Sequence, residues 1–142
     1  MSQKAALLLP MIGMIFLTFG VMLWMLKLRY KAVLKDGVDP RYFKLYGSDT
    51  KLPDYLVKVT QHSHNLLEMP LLFYTALIIL VALNINDTFY VLLSWGFLIT
   101  RLIHTYIHTT SNRLIWRKNA FIVSMVILMI LWIRIGIDVV GI

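Results

Sequence analysis

The chain has 142 residues, 59% of them hydrophobic, and a formal charge of +7. A mean hydropathy of +0.75 is too high for a water-soluble domain of this size, while the length allows several membrane spans within one small domain. With no cysteine, disulfides, thiolate metal sites and cysteine nucleophiles are excluded.

In chain order, Ala5 to Leu26 carries no formal charge, and a helix of that length covers the hydrocarbon core of a bilayer, roughly 30 Å. The run is longer than the apolar stretch of a cleaved signal peptide, so it predicts a permanent first span over about 5–28. A basic connection over about 29–54 follows. Asp36-Gly37, Asp39-Pro40, Gly47-Ser48 and Pro53 divide it into turns, leaving Tyr42, Phe43 and Tyr46 to lie at the interface. From Val59 to Asn86 the one formal charge is Glu68, which predicts a second span over about 55–84. Asn84, Asn86 and Asp87 mark a tight turn before a third span over about 88–110, apolar except for Arg101, His104 and His108. A fourth span over about 114–140 contains Arg134 and Asp138, an i,i+4 pair. Met11, Met14, Met22 and Met25 read as lipid-facing or packing residues. The expected fold is an all-α integral membrane protein, a single four-helix bundle over residues 1–142.

Basic residues gather at one end of these spans. Lys27, Arg29, Lys31, Lys35, Arg41, Lys44, Lys51 and Lys58 follow the first span, and Arg113, Arg117 and Lys118 join the third to the fourth. The second connection has none. By the positive-inside rule the basic connections are cytoplasmic and both termini lie outside, with Lys4 the one contrary charge. The positive collar is expected to meet anionic lipid headgroups, and no nucleic-acid function follows from it.

Two polar stripes interrupt the apolar spans. Arg101, His104 and His108 fall at i, i+3 and i+7, and Gln61, His64, Asn65 and Glu68 at i, i+3, i+4 and i+7, so each set shares one helical face. Glu68 and Arg101 lie at matching depth, about 20 Å along their helices from the basic end, which predicts a Glu68–Arg101 ion pair supported by Asn65 and His104. Interhelical glue is one reading of these stripes. The presence of all four histidines, 62, 64, 104 and 108, in the same halves of the second and third spans favours a polar cleft open to the cytoplasm. His104 and His108 with His64 and Glu68 also match the spacing by which bundles hold zinc or iron. Arg101 opposes a cation there, and the leading reading assigns no metal.

Asn-x-x-Glu with a following Pro (Asn65, Glu68, Pro70), Arg-x-x-His near the end of the third span (Arg101, His104) and Arg-x-x-x-Arg leading into the fourth (Arg113, Arg117) resemble the membrane-associated proteins in eicosanoid and glutathione metabolism, the MAPEG family. The resemblance extends to the length, the four spans and the long first connection, and is that of a divergent bacterial-type member of a cell inner membrane. It implies a homotrimer with cytoplasm-facing sites between subunits, glutathione as cofactor, and transferase or peroxidase activity on lipophilic small molecules. Arg117 would take the catalytic place beside the thiolate. Gln61, His64, Asn65, Glu68, Arg101, His104, His108 and Arg113 would line the binding site. The chain departs from the family pattern at Gln61, where an arginine is usual, and at His108, where a tyrosine is common. Glutathione carries two carboxylates that fixed cations recognise. A non-catalytic scaffold that binds lipid or serves as an accessory subunit is therefore the alternative.

Overall fold

The computed structural model of the chain describes residues 3–45, 51–85 and 87–141. Tyr46, the Gly47-Ser48 turn and Asn86 lie outside the described residues. Four helices are long and apolar enough to cross a membrane. They are α1 (Gln3–Lys35), α3 (Asp54–Ala82), α4 (Thr88–Thr109) and α5 (Leu114–Val140), with a single-turn α2 (Tyr42–Leu45) in the first connection.

Helix α1 runs seven residues past the end expected at Leu28, to Lys35. Its length of about 50 Å exceeds the hydrocarbon core of roughly 30 Å, which leaves room for its basic last turns outside the apolar layer. Gly37, at φ 69°, then turns the chain, and the Val38 N–H returns to the Ala32 carbonyl at 3.0 Å. Near the end of α1, Arg29 lies 5.4 Å from the Phe43 ring centroid and Lys31 4.5 Å from that of Tyr55, so cation–π contacts hold part of the collar against the bundle.

The turn at the opposite end follows from its polar residues. Asn84 takes a left-handed φ of 55°, with Ile85 N–H to Leu80 O at 3.0 Å and Asn84 N–H to Val81 O at 3.2 Å. This is the paired bonding that closes a helix C-terminus. Asp87 caps α4 by accepting from the Phe89 N–H at 2.9 Å. Lys4 donates to Asn84 Oδ1 at 2.7 Å, so the start of α1 and the α3–α4 turn share one end of the bundle.

Helices α1 and α5 each pack on both α3 and α4, which also touch each other, whereas α1 and α5 do not meet among the described residues. The core toward the α3–α4 turn is apolar. Phe73 stacks on Phe97 at 4.4 Å, with Leu7, Met14, Leu77, Leu80 and Leu131 fully buried around them. Gly13 permits the close crossing of α1 and α4, because a Cβ there would meet Leu98 Cδ2 at 2.8 Å. The outward surface carries Phe16, Phe19, Leu71, Leu92 and Ile133, which suits contact with lipid or another chain.

Several polar groups within the spans are paired inside the bundle. The i,i+4 pair is present, Arg134 to Asp138 at 3.3 Å, and the Tyr90 hydroxyl donates to the other Asp138 oxygen at 2.6 Å. Ser94, Thr100, Thr105 and Thr109 donate to carbonyls four residues earlier. Such back-bonding satisfies these four hydroxyls within their own helix.

Candidate functional site

The second polar region lies toward the other end of the bundle, where α3 and α5 begin and α4 ends. Along α4 the i, i+3, i+7 spacing brings Arg101, His104 and His108 to one buried face. The face that α3 turns inward is set by its apolar stripe, Leu56, Val59, Leu66, Phe73, Leu77 and Leu80. That stripe carries His62 and Ser63 into the interior and leaves Gln61, His64 and Glu68 exposed, with Asn65 at the boundary.

This rotation corrects the expected Glu68–Arg101 ion pair. Among the described residues Arg134–Asp138 is the ion pair formed, and Glu68 faces outward. Arg101 is fully buried. Its Nη2 donates to Asn65 Oδ1, its Nη1 lies 3.8 Å from the Met69 sulfur, and its Cζ sits 6.0 Å from the Phe121 ring centroid. Its Nε is buried without an acceptor. A neutral amide, a thioether and an aromatic ring therefore hold a charge that was expected to meet a carboxylate.

The histidines form a second departure. The His62 ring centroid lies 5.5 Å from that of His104 and 5.0 Å from that of His108, and the last two are 5.6 Å apart. His62, not His64, is the α3 histidine that joins the α4 pair. The available signal was its register with Leu66 and Phe73 on the apolar stripe, which polar spacing alone does not reveal.

A cavity of about 280 Å³ opens beside this cluster, lined by Gln61, Asn65, His104, His108, Leu114, Arg117, Lys118 and Phe121. The structure thus brings together Gln61, Asn65, His104, His108 and Arg117 from the expected set, with Arg101 linked through Asn65. His64 and Glu68 are not in its wall. Arg113 lies instead beside a separate groove with Leu114, Ile115, Trp116 and Asn119. Lys118 is an addition, detectable in the sequence as the Arg117-Lys118 pair at the start of the fourth span.

Arg117 is positioned from both sides. Asn112, at φ 49°, turns the chain between α4 and α5 and accepts from Arg117 Nη1 at 2.8 Å. The Arg117 carbonyl in turn receives His104 Nδ1 at 3.1 Å. The cavity wall contains two cations and no carboxylate, an arrangement that attracts anions in a region of low dielectric.

Neither the comparison with curated proteins nor that with solved structures gives a match. The comparison with protein families does, over residues 7–137, in agreement with the four spans and the motifs on α3, α4 and α5. The chain belongs to the MAPEG family, and it is a membrane protein of four apolar helices.

Proposed function

We propose that the cavity binds the anionic peptide glutathione, and that the protein is a transferase or peroxidase for lipophilic substrates, working as a homotrimer in a bacterial inner membrane with this end of the bundle toward the cytoplasm. The observation that carries the reading is a polar cavity with Arg117 and Lys118 in its wall, no carboxylate, and Arg101 behind Asn65. The charge of this wall suits a ligand with more carboxylates than amines. The volume is at the small end for a ligand site, which accords with a second subunit completing it. Glutathione would supply the nucleophilic sulfur. Within the chain, Arg117 would favour the thiolate, whose parent thiol ordinarily titrates near about 8.5, while Lys118 would attract a carboxylate and Asn65 would offer its amide group. Asn112 and the His104 contact to the Arg117 carbonyl hold that segment in place.

Gln61 and His108, where the family pattern has other residues, support the alternative of a non-catalytic site for anionic lipid headgroups. The two readings separate in one experiment. Purified protein in mild detergent is mixed with glutathione, or with an anionic phospholipid, and the thermal midpoint and the ultraviolet thiolate absorption are followed. The transferase reading expects a midpoint shift with glutathione, thiolate formation, and turnover with an aryl halide electrophile. Arg117→Ala should remove the thiolate signal and reduce turnover at least 100-fold, on the order of about 3 kcal/mol in the barrier, while leaving the oligomer intact. A shift with lipid alone, without thiolate or turnover, overturns the catalytic reading.

A further inference from the structure

We propose that His62, His104 and His108 form a buried binding site for a divalent transition metal of the zinc class, which shares His104 and His108 with the cavity wall and does not require glutathione to be bound. One ring nitrogen from each histidine lies within 4.8 Å of the others, and all three side chains are buried in a protein interior. Tetrahedral coordination with Zn–N bonds of about 2.0–2.1 Å would place the nitrogens about 3.3 Å apart. A modest contraction of the three rings closes that set.

The hydrogen bonds around two of the rings specify which nitrogen is free to bind. Thr105 has one hydroxyl proton and donates it to the Arg101 carbonyl at 2.8 Å. Its 2.9 Å contact with His62 Nε2 therefore has Nε2–H as donor, and the neutral ring keeps a bare lone pair on Nδ1. The Arg117 carbonyl can only accept, so the 3.1 Å contact makes His104 Nδ1–H the donor and leaves the lone pair on Nε2. Both lone-pair atoms, His62 Nδ1 and His104 Nε2, are buried with no hydrogen-bond partner, as is His108 Nδ1. Metal-binding imidazoles are arranged in this way, one nitrogen fixed by a hydroxyl or carbonyl and the other presented to the ion. A histidine cluster that served only as interhelical glue would be expected to bond those atoms to one another or to a hydroxyl.

The cavity supplies an entry path, since His104 and His108 stand in its wall. Three neutral ligands leave the ion's full charge in place, and Arg101 adds another. The fourth position is therefore assigned to an anion from solution, hydroxide or chloride, entering from the cavity. Imidazole ligands without carboxylates select zinc, cobalt, nickel or copper over magnesium or calcium.

The test uses the full chain, free of any histidine tag, in mild detergent without glutathione. After removal of metal, Co2+ is titrated in, bound metal is counted by mass spectrometry, and the visible spectrum is recorded. One Co2+ per chain with the intense absorption of four-coordinate cobalt, displaced by Zn2+, is the expected result. His62→Gln and His108→Gln should abolish that spectrum. Thr105→Val, which removes the partner of His62 Nε2 and keeps every ligand, should weaken the affinity roughly 10- to 100-fold and guards against loss of folding in the histidine variants. No stoichiometric four-coordinate cobalt in the wild type, an unchanged affinity in Thr105→Val, or a loss that follows His64→Gln in place of His62→Gln would each overturn the proposal. The cobalt readout requires no turnover, so its failure is separate from failure of the transferase reading.

Discussion

Arg101 shows how a single buried charge is accommodated without a counter-ion. Its guanidinium is tied to the Asn65 amide oxygen and rests against Met69 and Phe121, so Asn65 replaces the carboxylate that depth along the helices had suggested. Removing the amide leaves charged donors unsatisfied in the interior, which costs about 1–3 kcal/mol. Asn65→Leu should lower the unfolding free energy in detergent by that amount, and a double-mutant cycle of Asn65→Leu with Arg101→Leu should show coupling. The cycle of Glu68→Gln with Arg101→Leu should instead be additive within about 0.5 kcal/mol. Coupling confined to the Glu68 cycle would place the carboxylate back beside the guanidinium.

At the scale of the helix, polarity and burial follow different registers. In α3 the buried positions trace the apolar stripe from Leu56 to Leu80, and His62 is inside because it shares that stripe. In α4 the polar and buried faces coincide, which is why Arg101, His104 and His108 were legible as a set. The crossing of α1 over α4 depends on the missing side chain of Gly13, where a Cβ would lie 2.8 Å from Leu98 Cδ2. Gly13→Leu should therefore destabilise the bundle by about 1–3 kcal/mol through overpacking, measured by denaturant unfolding in detergent. Leu98→Ala should recover part of the loss in the double variant, and the absence of any recovery would show that the α1–α4 crossing is not the cause.

For the whole molecule, the outward position of Glu68 is the feature a lone bundle leaves unexplained. It lies about 20 Å along α3, on an exposed face within a span, where a carboxylate facing lipid would be costly. A neighbouring subunit covering Glu68 resolves this in the proposed trimer. Native mass spectrometry from mild detergent should show trimers for the wild type and a shift toward monomers for Glu68→Leu. An unchanged or strengthened assembly in that variant would count against a polar subunit contact at this position.

Span number, the uneven distribution of basic residues and family membership were legible in the amino-acid sequence, because bilayer thickness imposes uninterrupted apolar runs and because the motifs on the second, third and fourth spans are local. The i,i+4 pair of Arg134 and Asp138 was legible for the same reason, both partners lying on one helix. Which face of α3 points inward was decided only by tertiary packing. Rotation of α3 about its axis is set by the summed burial of its apolar side chains against α1, α4 and α5, and a few polar residues at similar spacing do not outweigh it. That rotation turned Glu68 outward, gave Arg101 to Asn65, and brought His62 to His104 and His108, three contacts between residues 36 to 46 positions apart in the chain that no periodicity within one helix encodes.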